Sequence, residues 1–268
     1  MTCLKYPGSK SQIADWIISH FPAGYAGMTY FEGFFGSGAV MFRKKRSTCE
    51  IINDRDKEVY NLFLQIRENP EQLAFMTENT PWSRDDFITS YQDADEPLEK
   101  ARRFLVRMWF SIGARSCEKN GFRLNIAKNG GNFTAFHRKL PEVIFEISDR
   151  LKHDSGGIVQ IENQDALTLI KKYNRENVLM YLDPPYVLST RKNRKIYKHE
   201  MDDSDHEKLL EEIKNSKASI IISGYDNDLY NSHLSKWIKD TISSVDEKGS
   251  NRMECIWMNY KGYQMSFF

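Results

Sequence analysis

Short runs of β-branched and aromatic residues alternate along the chain with longer stretches of helical spacing. Met28–Phe31 predicts a strand, the glycine-rich turn Gly33–Gly38 follows it, and a helix is expected through Arg46. Cys49–Ile52 predicts a second strand ending at Asn53 and Asp54. Val59, Leu62, Phe63 and Ile66 then recur at helical spacing over Asp56–Arg67. The same rhythm returns later, with strands expected at Ile158–Ile161, Val178–Leu182 and Ile220–Ile222 and helices at Gln164–Tyr173 and Asp205–Asn215. Alternation of this kind implies an α/β fold with a mostly parallel sheet covered by helices. Thr241–Val245 and Glu254–Tyr260 flank a polar turn and predict a C-terminal antiparallel hairpin.

Between about 68 and 155 the strand–helix rhythm fails. That stretch opens at Asn69-Pro70, carries a long amphipathic helix over Leu98–Ile112, and passes through a Gly- and Asn-rich segment at Lys128–Asn132. It reads as an inserted, mainly helical domain. A chain of 268 residues is long enough for one large α/β domain with such an insertion.

Composition narrows the class. Mean hydropathy is −0.59, and no apolar run approaches the roughly 20 residues of a membrane span. The N-terminal MTCLKYPGSK lacks the apolar stretch of a signal peptide. Cys3, Cys49, Cys117 and Cys255 are widely spaced, which gives no metal signature and suggests free thiols in a reducing, cytoplasmic setting.

The net charge of +1 conceals segregation. Leu98–Leu140 holds ten basic residues against two acidic ones, and Arg191–Lys198 holds five basic residues and no acid. The remainder is acidic. Such asymmetry is what a polyanion-binding face produces. Arg115, Lys119, Asn120, Arg123, Asn125 and Asn132 lie in the first segment and Arg191, Lys192, Arg194 and Lys195 in the second; should the polyanion be a nucleic acid, the former are of types that pair with base edges and the latter would form a loop that closes over phosphates. Arg43-Lys44-Lys45-Arg46 is expected to end a helix, where cations suit the dipole. Phe104, Trp109 and Phe110 are expected in the core, and His206 is given no role.

Two constellations carry chemistry. The first is strand, glycine loop, strand, acid: Glu32-Gly33-Phe34-Phe35-Gly36-Ser37-Gly38, then Asp54. Gly36 and Gly38 allow close backbone approach to a ligand, and an acid beyond the neighbouring strand is placed to accept ribose hydroxyls, so a nucleoside-containing cofactor is expected. The second is Asp183-Pro184-Pro185-Tyr186, directly after an apolar strand. A carboxylate and a proline carbonyl are two rigid acceptors that match the two N–H bonds of a planar amine, and Tyr186 adds a flat face for a ring.

These segments, with Lys5-Tyr6-Pro7-Gly8-Ser9-Lys10 at the start and Asn53–Glu58 after the second strand, resemble the Dam-like, D12 class of DNA adenine N6-methyltransferases of bacteria and phages. The order of the motifs is that of the α-group of amino-methyltransferases. The resemblance implies a Rossmann-like class I methyltransferase sheet with a C-terminal β-hairpin. Residues 1–67 and 156–268 would form the S-adenosylmethionine-binding catalytic domain, and 68–155 an inserted target-recognition domain for double-stranded DNA. It further implies that Tyr6 packs on the cofactor adenine, that Lys10 contacts cofactor or target base, and that Glu32, Phe34, Gly36, Ser37 and Gly38 line the methionine portion. Asp54 would bind the ribose, and Asp165 resembles an acidic position near the cofactor adenine. Gly33 stands where the family usually has Pro, and Tyr6 where it more often has Trp.

On that resemblance Asp183 and Pro184 accept hydrogen bonds from N6, Tyr186 stacks on a flipped-out base, and no metal is needed. A monomer and a cognate restriction endonuclease are the further expectations, in a bacterial cell or a phage-infected host. Methylation of cytosine N4 or of another planar amine uses related motifs, with Asp at 183 favouring adenine. A non-catalytic DNA-binding regulator is the alternative from another class, and a nicotinamide oxidoreductase would leave Asp183–Tyr186 idle.

Overall fold

The computed structural model describes residues 2–113, 120–124, 131–152, 157–191, 196–245 and 251–261. Its strands are β1 (Thr29–Glu32), β2 (Cys49–Asn53), β3 (Ile158–Glu162), β4 (Val178–Leu182), β5 (Ser219–Tyr225), β6 (Ile238–Val245) and β7 (Asn251–Met258). They form one sheet in the order β3-β2-β1-β4-β5-β7-β6. The first five strands run parallel, and β7 enters antiparallel between β5 and β6. This is the expected Rossmann-like sheet with its C-terminal hairpin.

The helices are α1 (Ala14–Ser19), α2 (Lys57–Glu68), α3 (Pro70–Asn79), α4 (Arg84–Thr89), α5 (Pro97–Phe110), α6 (Gly131–Thr134), α7 (Leu140–Leu151), α8 (Ala166–Tyr173), α9 (Asp203–Ile213) and α10 (Asp228–His233). A wider helical turn over Ala135–Lys139 joins α6 to α7. Capping explains several starts: Asp56, Ser83, Asp165 and Asn227 each accept a backbone N–H of the first turn, and Asp202 with Asp205 closes a capping box on α9.

Alternation along the central strands divides the core. Tyr30, Leu179 and Tyr181 face a cluster that includes Phe42, Phe63, Phe104, Phe110, Phe136 and Ile144. Phe31, Met180 and Leu182 face a second cluster with Leu209, Ile222 and Trp257. The Val-Leu-Met-Tyr-Leu run of β4 is buried throughout because both faces are covered. Phe104, Trp109 and Phe110 are core residues, as expected, and α5 and α7 pack in the same cluster as the sheet rather than around a core of their own.

One expected element is corrected. Residues 39–44 make consecutive turns, with Phe42 N–H bonded to Gly38 and Lys44 N–H to Val40, but no regular helix reaches Arg46. Lys44 turns inward instead, where its ammonium pairs with the buried Glu50 carboxylate at 2.5 Å. Arg46 bonds the Arg150 carbonyl at 2.8 Å and Arg43 pairs with Asp15 at 2.8 Å. Lys44 is thus a buried ion-pair partner, where a helix-end cation was expected.

Candidate active site

β2 and β3 lie on one side of β1, and β4 and β5 on the other. The chain therefore reverses direction of winding between β1 and β4, and a crevice forms at the carboxyl ends of these strands. Glu32 ends β1, Asn53 ends β2 with Asp54 directly after it, Asp165 follows β3, and Asp183 follows β4. The crevice and its open mouth together hold about 1130 Å³ of space free of protein atoms.

The glycine loop forms its floor. Gly36 and Gly38 have φ of 50° and 66°, the left-handed region that favours glycine. A Cβ on Gly38 would come within 2.4 Å of Phe35 and 2.6 Å of Phe42, and one on Gly36 would reach Tyr6 at 3.1 Å. Gly36 N–H donates to Asp54 Oδ2, and Asp56 N–H to Asp54 Oδ1, each at 2.8 Å. Burial still raises the Asp54 carboxyl to about 7 against those bonds. Asn53 ties the ends of β1 and β3 together, donating to the Gly33 and Gln164 carbonyls and accepting from Gln164 N–H.

Glu32 is almost fully buried and accepts from the Tyr30 hydroxyl at 2.6 Å. Desolvation dominates, and its carboxyl is raised to about 8. Ser37 and Ser9 share a hydrogen bond of 2.9 Å that fastens the N-terminal segment to the loop.

Asp183 is the focus of the opposite wall. Lys10 Nζ lies 2.9 Å from its Oδ2 and donates to the Gly8 carbonyl at 2.9 Å. Burial alone would lower the Lys10 pKa, but the Asp183 and Glu254 carboxylates outweigh it and raise it. Asp183 Oδ1 is buried and accepts no hydrogen bond among the described residues. Burial raises its carboxyl, with Lys10 opposing. The Lys10 ammonium also stands 4.8 Å from the centre of the Tyr186 ring.

Of the residues expected from sequence, Tyr6, Lys10, Glu32, Phe34, Gly36, Ser37, Asp54, Asp165, Asp183 and Pro185 line the crevice. Gly38, Pro184 and Tyr186 do not line it. Asp165 caps α8 through Thr168 N–H at 3.1 Å and is exposed at the rim.

Two residues at the site carry no sequence motif. The Tyr197 hydroxyl donates to the Pro7 carbonyl at 3.2 Å, and its ring closes the crevice beside Tyr6 at 6.1 Å. Glu254 on β7 accepts from the Tyr186 hydroxyl at 2.7 Å. A lone tyrosine in a basic loop and a lone glutamate in a hairpin give no local signal for either contact.

The expected DNA readers fare unevenly. Arg115, Lys119, Asn125, Lys192, Arg194 and Lys195 lie outside the described residues, as does Cys117. Asn132 accepts from Lys5 Nζ near the start of the chain. Asn120 N–H donates to the Tyr91 hydroxyl. Arg123 is built into the fold, its Nε on the Ser111 carbonyl at 3.0 Å. Arg191 is a correction: its side chain is 5% exposed and pairs with Glu200 at 2.5 Å, so it braces the loop from inside where a phosphate contact was expected. Lys198, from the same basic run, faces Asp56 and Glu58. His206 is buried against the Tyr230 hydroxyl at 3.0 Å. Among the described residues no cluster of His, Cys, Asp and Glu is suited to a metal ion, and no helix is long and apolar enough to cross a membrane.

A seven-stranded sheet of this order, with an acid-rich crevice where its winding reverses, defines the Rossmann-like methyltransferase class of fold. Residues 6–251 match the model of the D12 class N6 adenine-specific DNA methyltransferases, and the chain belongs to that family. It is 28% identical over 194 residues to the type II methyltransferase M1.LlaDCHI of Lactococcus lactis subsp. cremoris, a match covering 68% of this chain and 64% of that protein. Among solved structures, the rRNA methyltransferase aviRa of Streptomyces viridochromogenes aligns over 95% of this chain and 86% of its own, with 11% identity and a TM-score of 0.42. A conserved hypothetical protein of Streptococcus pyogenes aligns over 96% of this chain and 98% of its own, with 10% identity and a TM-score of 0.39.

Proposed function

We propose that this chain transfers a methyl group from S-adenosylmethionine to the N6 amine of a flipped-out adenine in duplex DNA, at a specific site. The observation that carries this reading is Asp183 Oδ1, a buried carboxylate oxygen that accepts no hydrogen bond among the described residues, at the wall of the crevice where the winding of the sheet reverses. An unmet acceptor in so dry a place is unfavourable by about 1–3 kcal/mol unless a ligand supplies the donor.

The crevice fits the cofactor by its own residues. Gly36 lets the backbone of the loop approach closely at the crevice lining, where a Cβ would press on Tyr6 at 3.1 Å, Tyr6 offers a flat face beside it, and Asp54 keeps acceptor lone pairs for a ribose beyond its two backbone bonds. Glu32, Phe34 and Ser37 line the same crevice as Asp183. Bound there, S-adenosylmethionine supplies an electrophilic sulfonium methyl.

The chain's own groups then act on the amine. Adenine N6 is a weak nucleophile because its lone pair is delocalised into the ring. Asp183 Oδ1 and the Pro184 carbonyl accept its two N–H bonds, favour a tetrahedral nitrogen and stabilise the positive charge that develops there. Lys10 holds Oδ2 and so fixes the carboxylate in place. Tyr186 takes the face of the extruded base, offsetting part of the few kcal/mol needed to unstack it.

Residues 68–155 are proposed as the target-recognition domain, and the exposed Arg138 and Lys139 beside α7 as phosphate contacts. The type II designation of the lactococcal relative favours a cognate restriction endonuclease as a further partner of the chain, which we take to act as a monomer.

The direct test is transfer of labelled methyl to unmethylated duplex DNA, followed by digestion to nucleosides. N6-methyl-2′-deoxyadenosine is the expected product, and N4-methyl-2′-deoxycytidine or no transfer overturns the reading. Asp183→Ala should lower turnover by about 10³-fold or more, the scale of losing a preorganised acceptor, with DNA affinity changed only a few-fold. Retained turnover in that variant would remove Asp183 from the mechanism.

A further inference from the structure

Tyr186 is held from behind by two strands that contribute nothing else to the crevice wall. Its hydroxyl donates to Glu254 Oε2 at 2.7 Å. Its ring meets Tyr225 edge-on, with centroids 4.7 Å apart and planes at 77°. Tyr225 ends β5 and Glu254 lies on β7, and the two are direct partners in the antiparallel register of those strands. One cross-strand pair therefore supplies both braces. The pair is itself steadied by Arg252, whose Nη1 donates to the Tyr225 hydroxyl at 3.3 Å and whose guanidinium lies 5.6 Å from that ring.

We propose that Glu254 is a positioning residue for the reaction, fixing the ring of Tyr186 in the orientation in which it receives the target base. The inference rests on the methyltransferase reading given above. A tyrosine with an untethered hydroxyl keeps freedom about its side-chain torsions, and a charge-assisted bond to a carboxylate removes it before the base arrives. The antiparallel insertion of β7 thereby gains a role at the site: it brings a carboxylate onto the Tyr186 hydroxyl.

The test compares Glu254→Ala, Glu254→Gln, Tyr186→Phe and the double variant Tyr186→Phe with Glu254→Ala. Single-turnover methylation should fall about 10-fold or more in Glu254→Ala, the rate equivalent of one hydrogen bond to a charged group, with KM for S-adenosylmethionine within about 2-fold because Tyr186 and Glu254 lie outside the crevice lining. Glu254→Gln keeps an acceptor and should recover most of the rate. Tyr186→Phe keeps the ring, removes the same bond and should match Glu254→Ala, and the double variant should be no slower than either single one.

A second readout uses 2-aminopurine at the target position without cofactor, where both single variants should shift the emission equally and the double variant no further. Effects that multiply in full, or a Glu254→Ala variant with unaltered rate and emission, would overturn the inference. Should Glu254→Ala fail to fold, Glu254→Leu, of similar bulk and without an acceptor, replaces it in the comparison with Tyr186→Phe and the double variant. Absence of methyl transfer by the wild-type chain would instead overturn the methyltransferase reading, and the emission comparison, which needs no turnover, still decides the coupling.

Discussion

The crevice and the helical segment beside it treat charge in opposite ways. In α5 the arginines are neutralised within the fold. Arg102 and Arg103 both bond Glu99, at 2.7 Å, and Arg107 pairs with Glu58. Arg102, the largest influence, and Arg103 hold the Glu99 carboxyl below its ordinary value. In the crevice, Glu32 and Asp54 are bonded by neutral donors and raised by burial to about 8 and about 7. The arginines Arg102, Arg103 and Arg107 of the most basic stretch are thus already paired, while groups still suited to meet a ligand sit in the acidic crevice. A local surplus of charge tells which side chains exist, and only the fold tells which are already engaged.

The hardest break of that comparison is at the ion cluster that joins the two regions. Glu50 on β2 is fully buried and accepts from Lys44, Ser47 N–H and Arg150 of α7. Burial would raise its carboxyl, but Arg150 and Lys44 prevail and lower it. Glu50→Ala leaves the buried Lys44 ammonium without its counterion and should destabilise the chain by about 3–5 kcal/mol. Denaturant unfolding measures this. A loss under about 1 kcal/mol would mean that α7 is not fastened to the sheet by this cluster.

A smaller effect tests the crevice itself. The folded chain keeps a proton on Glu32 up to about pH 8, whereas the unfolded chain releases it near the ordinary carboxylate value of about 4.3. Stability from this group is fully present below the unfolded value and is lost as pH rises through about 8. Between pH 6 and pH 7 the loss should approach about 1.4 kcal/mol. Glu32→Gln should remove that part of the slope in unfolding free energy against pH. An unchanged slope would show that Glu32 is ionised in the free protein.

The parts legible in the sequence are those whose signal is local. Val178–Leu182 could only be a strand buried on both faces, and Asp183-Pro184-Pro185-Tyr186 could only end it. The close-approach glycines of the loop are seen to take left-handed conformations, and of the two Gly36 lines the crevice while Gly38 packs beneath Phe35 and Phe42. What escaped was decided across the chain. The expected helix through Arg46 gives way because Glu50, on the next strand, draws the Lys44 side chain inward. Arg191 is drawn in by Glu200 in the same manner. Tyr197 and Glu254 reach the site from a loop and a hairpin whose partners, Pro7 and Tyr186, lie far away in sequence. Pairing between distant residues leaves no periodicity to read.

The finest test asks where DNA affinity resides. Each phosphate contact contributes close to one unit to the slope of log affinity against log salt concentration. Arg103 is bonded to Glu99 and to the carbonyls of Gln92 and Asp93, so Arg103→Ala should leave that slope within about 0.3 of wild type. Arg138 is exposed on the turn leading into α7, and Arg138→Ala should reduce the slope by about 1 without altering sequence preference. Fluorescence anisotropy with one duplex over a salt series distinguishes the two. If Arg103→Ala lowered the slope as much as Arg138→Ala, the α5 arginines would have to exchange their carboxylate partners for phosphate on binding, and the contrast between the two regions would hold for the free chain alone.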